Sequence, residues 1–242
     1  MNVPCRVCPL RQRRAFKPLA ANEVDFIQAM KSDHRKLEAG ATIIYTGQEK
    51  AELFTLFSGW AYRFRSMEDD RRQILNFLLP GDLVGLQASM FGGALYDVAA
   101  LTKVELCVFP RARVWALFKQ MPELSFDVTW LGAREESLVD ENLTSVGVRN
   151  AAERVAALII SLFKRVRALG LVTDTSFDFP LSQQHIADAL GLSLVHTNKT
   201  IARLRKMGMF TLSNGRLTLH NPRVLERIAQ HFDDEVTPRP II

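Results

Sequence analysis

The sequence predicts an α+β chain in which a β-roll is followed by a long helix and then by a small helical unit closed by a β-hairpin. Three observations carry this. Residues 36–110 hold short runs rich in β-branched and aromatic side chains, punctuated by glycines such as Gly40, Gly47, Gly59, Gly81 and Gly85. After Pro122 the apolar residues recur at three- and four-residue spacing, the period of a helix. Near the C-terminus two helical patterns meet at Gly191, and Asn214-Gly215 follows as a type I′ hairpin signal.

The whole-chain properties bound the answer. The chain has 242 residues and a net charge of +5, and at roughly 100–200 residues per domain it holds one or two domains. With 48% hydrophobic residues it can bury a core and is not disordered as a whole. No apolar run approaches the roughly 20 residues that span a bilayer. Residues 1–14 lack a signal peptide's apolar stretch. The expectation is a cytoplasmic protein with no membrane partner. Cys5, Cys8 and Cys107 are too few, and odd in number, for a secreted disulfide scaffold. A close pair in a reducing compartment points to metal, cluster or redox chemistry, whereas Cys107 alone reads as a buried apolar residue. From Arg149 to Arg227 basic residues outnumber acidic ones, while Glu135, Glu136, Asp140 and Glu141 precede that stretch. Such a bias suits a polyanion partner or an ordinary solvated face.

Residues 1–20 read as an extension bearing the cysteine pair. A short helix is expected over 22–30. Strands over 42–45, 53–57, 60–65, 73–79 and 104–109, separated by turn residues, make 21–121 a β-roll of the jelly-roll (double-stranded β-helix) kind. Over 122–147, Leu124, Val128, Leu131, Glu135, Leu138 and Asn142 share one narrow, partly polar stripe, like a coiled-coil seam. The stripe suits either a helix lying on its own domain or a dimerisation helix. The second is favoured, because a helix between two domains has little else to bury it.

Residues 148–233 form the last domain. Val155, Leu158, Ile159, Leu162 and Val166 make the apolar face of a helix over 151–169, and Gly170 is placed to cap it. Ser182 caps a helix over 183–190, with Ile186 and Leu190 inward and Ala187 small where a second helix would cross. Gly191 supplies the positive φ of a tight turn, and Leu192 plugs the junction. The second helix, about 193–207, buries Thr197, Ile201 and Leu204. This is a helix-turn-helix pattern. A wing of two strands, 209–212 and 216–219, follows, then a helix capped by Asn221 with Pro222 at its first position. Residues 234–242 are expected to be a flexible tail.

The face of the second helix not needed for packing carries Ser193, Leu194, Val195, His196, Asn198, Lys199 and Arg203. A helix fits the major groove, where Asn can read adenine, Lys can read guanine, and an apolar group such as Val195 can meet a thymine methyl. Gln183, Gln184, Arg205 and Lys206 suit phosphates, which fix register without reading sequence. Each alone could be plain surface; the cluster with its wing predicts DNA binding. The sequence has no Walker loop, GxSxG, HExxH or dinucleotide fingerprint, and its five histidines are scattered, so it is not read as an enzyme. A small-metabolite-binding module is the alternative, and the basic wing argues against it.

The order of β-roll, long helix and winged helix-turn-helix resembles the CRP/FNR family of bacterial regulators. The quotable matches are Pro80-Gly81-Asp82-Leu83-Val84-Gly85, Asn150-Ala151-Ala152-Glu153-Arg154, Leu190-Gly191-Leu192-Ser193, and Val195-His196-Thr197-Asn198-Lys199-Thr200, which looks like the recognition helix of one branch. The resemblance implies a homodimer on a two-fold operator in double-stranded DNA, contact with RNA polymerase, and activation of transcription. It leaves the signal open. Members that bind cyclic AMP place Glu and Arg where this chain has Leu86 and Asp97, so cyclic AMP is not expected to bind. The FNR branch holds an iron–sulfur cluster through four cysteines. Cys5, Cys8 and Cys107 match three of them and Arg14 stands at the other, which leaves an oxygen- or redox-responsive cluster as an alternative. Haem would need a histidine near the long helix, and none is there. Control without any ligand is a further reading. CRP and FNR both have a glutamate where this chain has Val195, so the operator should differ from theirs.

Overall fold

A computed structural model describes residues 3–69, 71–230 and 238–242. The chain divides into two compact units, residues 1–65, 77–137 and 238–242 in the first, 66–76 and 138–237 in the second.

The N-terminal half of the chain holds two antiparallel sheets of four strands. One has the order β1 (Asp33–Leu37), β8 (Val104–Phe109), β3 (Leu53–Ser58), β6 (Leu83–Val84). The other has β2 (Thr42–Ile44), β7 (Asp97–Ala100), β4 (Ala61–Ser66), β5 (Arg72–Leu78). Ile44, Leu53, Phe54, Leu56, Val98, Val104, Leu106 and Val108 are all buried and form the apolar core. Strand β1, of sequence DHRKL, has no hydrophobic alternation and escapes a reading by pattern. It forms because it lies at a sheet edge, where charged side chains pair across the ladder. His34 Nε2 and Lys36 Nζ lie 2.7 Å and 2.8 Å from the Glu105 carboxylate on β8. Those two partners, Lys36 first, hold the Glu105 carboxyl below its ordinary range.

Helices cover the first sheet: α1 (Ala21–Met30), α3 (Arg111–Gln120) and the start of α4 (Pro122–Val148). A short helix, α2 (Leu86–Phe91), follows β6. Helical structure therefore begins at Arg111, earlier than the change of period at Pro122 suggested. Leu124, Val128 and Leu131 are buried in one cluster with Ile27, Met30, Leu53, Leu83, Phe109, Val114 and Leu117. This corrects the expected dimer seam. The remaining members of the stripe are also engaged within the chain. Glu135 lies 3.2 Å from the buried Arg63 guanidinium, which also stacks 4.8 Å from the Tyr96 ring. Asn142 Nδ2 donates to the Leu75 carbonyl at 2.7 Å, and Leu138 is half-buried. Helical spacing reports that a face is buried, not which surface buries it.

A second correction concerns the expected tail. Arg239, Ile241 and Ile242 are buried in the first unit. Residues 234–237 of the expected tail lie outside the described residues.

The second unit is organised on α5 (Ala151–Ala168). Asn150 caps it, its side chain accepting from the Ala152 and Glu153 amides while Glu153 reaches back to the Asn150 amide at 2.9 Å. Val155, Ile159, Leu162 and Val166 are buried along its inner face. Leu158, expected on that face, is half-buried. Against α5 lie α6 (Gln183–Leu190), α7 (Leu194–Lys206) and α8 (Pro222–Ala229). A three-stranded sheet of order β10 (Phe210–Ser213), β11 (Arg216–Leu219), β9 (Ser176–Asp178) completes the unit.

Because Leu131 is 5% exposed within its own core, Leu131→Ala is expected to lower unfolding free energy by about 2–5 kcal/mol. Denaturant unfolding measures this, and an unchanged midpoint would contradict the packing described.

Candidate nucleic-acid interface

The helix-turn-helix is held by backbone chemistry at the turn. Helix α6 ends at Gly191, whose φ of +61° lets its amide and that of Leu192 both return to the Ala187 carbonyl. Ala187 is itself buried where the two helices meet. Arg154 of α5 donates from Nη1 to the Leu190 carbonyl at 3.0 Å, which satisfies an acceptor the helix end leaves open. Ser193 caps α7 by accepting from the His196 amide at 3.2 Å. Thr197, Ile201 and Leu204 are buried, as expected from their spacing.

That packing leaves Ser193, Leu194, Val195, His196, Lys199, Arg203, Arg205 and Lys206 exposed. Val195 is 64% exposed, an unusual place for a β-branched apolar residue unless something apolar meets it. Among the described residues, Lys199, Arg203, Arg205 and Lys206 have no carboxylate partner, so the face keeps its positive charge. Asn198 is set back from this face. It is half-buried, and its side-chain oxygen is enclosed without a hydrogen-bond partner among the described residues. On α6, Gln183 is exposed, whereas Gln184 donates to Asp188 at 2.6 Å. Asp188 is also held by Arg72 at 2.5 Å, and Gln73 donates to the Ala189 carbonyl at 3.0 Å. The sequence pattern did not single out Arg72 and Gln73, because a hairpin's neighbours across the fold leave no local spacing to read.

The wing forms as expected. Asn214 and Gly215 both adopt positive φ, and β10 pairs with β11 from Phe210↔Leu219 to Ser213↔Arg216. Strand β9 extends this sheet on the other side of β11, with Arg216 Nη1 2.6 Å from Asp178. Asn221 caps α8 by accepting from the Val224 amide at 3.2 Å.

Comparison with known proteins agrees with both halves of this description. Residues 34–121 match the cyclic nucleotide-binding domain family, and residues 153–228 match the Crp-like helix-turn-helix domain. A "probable transcriptional activator" of Rhizobium leguminosarum bv. viciae is 30% identical over 214 residues, 88% of each chain. The chain belongs to the CRP/FNR family of transcription regulators. The transcriptional activator protein FnrL of Cereibacter sphaeroides is 28% identical, over 95% of this chain and 93% of its own. The structure of FixK2 from Bradyrhizobium japonicum superposes with a TM-score of 0.75 at 20% identity, covering 81% of this chain and 96% of its own.

The residues at the two effector sites suggested by the family have the following surroundings. At the cyclic nucleotide positions, both Asp97 oxygens accept from Thr46, one from the amide and one from the hydroxyl, each at 3.0 Å. A carboxylate there repels a cyclic phosphate. Leu86 cannot accept from a ribose hydroxyl, and it packs against the core beside Gly132. Among the described residues, no three His, Cys, Asp or Glu side chains stand as a ready metal-ligand set, although Cys107 lies within electrostatic range of Cys5 and Cys8. Cys5 is the buried cysteine, while Cys8 and Cys107 are half-buried. Burial raises the Cys5 thiol and pushes Cys107 up to about 11, with the Lys31 ammonium opposing it at both.

His185 closes the cap of α6. Its Nδ1 accepts from the Ser182 amide at 3.1 Å while Ser182 Oγ accepts from the His185 amide at 3.1 Å. Burial lowers its pKa, Arg72 lowers it further, and Asp188 opposes them. The folded form thus favours neutral His185. Its contribution is complete above the unfolded value of about 6.5 and is lost as pH falls below that through the folded value. Thermal unfolding between pH 7.5 and 5.5 should show a loss of stability that His185→Gln reduces. An identical slope in the variant would refute this role.

Proposed function

We propose that the chain is a sequence-specific transcription activator that binds a two-fold operator in double-stranded DNA as a homodimer and contacts RNA polymerase. The observation that carries the reading is the exposed cationic face of α7 beside its wing, which has no carboxylate partner among the described residues. Val195, His196 and Lys199 enter the major groove, with Ser193 at the helix N-terminus. Arg203, Arg205, Lys206 and Gln183 meet the phosphates, and Asn198 supports the face from behind. With Val195 in place of an acceptor, a cytosine amino group has no partner at that position, so the half-site differs from one read by a glutamate. The names of the relatives support activation, since the Rhizobium and Cereibacter proteins are both called activators. The Asp97 and Leu86 environments support control by something other than cyclic AMP.

For the dimer, the available surface is the face of α4 opposite the buried stripe. Phe126 and Leu143, each 69% exposed, stand on it with Thr129, Ala133, Glu136 and Asp140 at three- and four-residue spacing. A second copy of this helix would cover those two apolar side chains.

Binding to promoter fragments should fall steeply with salt. Lys199→Ala should weaken the specific complex by roughly 1–3 kcal/mol while leaving non-specific binding nearly unchanged. Equal loss on all sequences would make Lys199 a phosphate contact instead. Leu143→Glu should yield folded monomers in sedimentation that no longer hold the operator. A variant that sediments as a dimer places the interface elsewhere.

A further inference from the structure

Pro238–Ile242 belong to the first unit, although the residues before them belong to the second. The last residues, Pro238–Ile242, are seated in a site built from buried polar groups. Arg239 is 5% exposed. Its Nη1 lies 2.8 Å from Asp82 Oδ1 and donates to the Gly81 carbonyl at 2.9 Å, and its Nη2 donates to the Pro80 carbonyl at 3.1 Å. The guanidinium plane also lies 4.9 Å from the Phe16 ring centre. Such planar, forked recognition is specific to arginine, because an ammonium cannot reach several fixed acceptors and stack at once.

The backbone is held too. The Arg239 amide donates to the Ala15 carbonyl and the Lys17 amide donates to the Arg239 carbonyl, each at 2.9 Å, as in a parallel strand pair. The end is then anchored by its apolar residues. Ile241 and Ile242 are 2% and 4% exposed, and Thr55 Oγ1, itself buried, donates to the Ile242 oxygen at 2.5 Å. Gly81 shows that the site is shaped for this arrangement. It has a φ of +84°, and a Cβ there would stand 2.2 Å from Phe16. Any other residue would push Phe16 off its place beside the guanidinium.

What the end braces is the N-terminal extension. Phe16 and Lys17 are gripped by the Arg239 backbone on one side, and Lys17 is paired on the other with the buried Asp127 of α4. Further along, the Cys5 amide donates to Gln28 at 2.5 Å, and Cys5 lies in the same apolar cluster as Ile242.

We propose that the β-roll unit carries a peptide-binding groove, specific for the sequence Pro-Arg-Pro-Ile-Ile, that is filled by the protein's own residues 238–242 and closes the extension over the Cys5 thiol. Docking of the end and protection of Cys5 are then thermodynamically coupled, and each opposes loss of the other. The groove is distinct from the DNA-reading surface and from the positions where relatives take a cyclic nucleotide.

Two rates test this on the 242-residue chain. Carboxypeptidase Y should leave Ile241 and Ile242 on the wild-type chain while stripping them from a synthetic peptide of residues 231–242, with release read by mass spectrometry. N-ethylmaleimide should label Cys5 slowly, with the site identified by peptide mapping. Arg239→Ala should speed both reactions at least tenfold, and Arg239→Lys should speed them less. If Arg239→Ala does not fold, as judged by circular dichroism, a chain lacking Ile241 and Ile242 provides the labelling rate. Wild-type isoleucines lost at the peptide's rate would overturn the groove. A Cys5 rate unchanged by the variants would overturn the coupling.

Discussion

The Asp82 carboxylate is almost fully buried, and three separate parts of the first unit converge on it. Its Oδ2 accepts from the Leu79 amide at 2.7 Å, which folds the Pro80-Gly81-Asp82 turn between β5 and β6. Its Oδ1 faces Arg239 at 2.8 Å and Arg134 of α4 at 3.4 Å. A carboxylate removed from water is tolerated only when charge and hydrogen bonds replace its hydration. Here the replacements come from the adjoining turn, the long helix and the end of the chain. Removing one partner of such a buried pair typically costs about 3–5 kcal/mol, because the other charge is then left uncompensated. The turn, the helix and the C-terminal segment are therefore interdependent through a single negative charge.

The same constraint explains how α4 is used. Its inner face completes the core with Leu124, Val128 and Leu131, and then places Arg134 and Glu135 where buried groups of opposite charge await them. The two polar positions look like breaks in a hydrophobic stripe until Asp82 and Arg63 are seen as their partners. With that face committed, Phe126 and Leu143 on the outer face stay exposed.

In the second unit the electrostatics run the other way. Carboxylates near α6 and the wing are paired, Asp188 with Arg72 and Asp178 with Arg216, while the cations of α7 have no carboxylate partner among the described residues. Pairing the anions removes charge that would repel phosphate, and leaving the cations open keeps the charge that attracts it. The contrast separates the groups that hold the unit together from those left for DNA.

The sequence alone determined whatever depends on local spacing. The cap at Asn150, the αL turn at Gly191, the type I′ wing at Asn214-Gly215 and the buried Thr197, Ile201 and Leu204 are each set by a few neighbouring residues. Their geometry follows from backbone sterics and helical period, so the helix-turn-helix was legible, and with it the α+β plan and the exposed cations of α7. Only the tertiary structure decided what depends on partners far along the chain. The charged strand β1 exists because Glu105 faces it, and the stripe of α4 turns inward because Met30 and Phe109 lie beneath it. The C-terminal residues were read as a free tail because nothing near them in sequence could bury an arginine. Asp82, more than 150 residues earlier, is what does so, and no periodicity spans that distance.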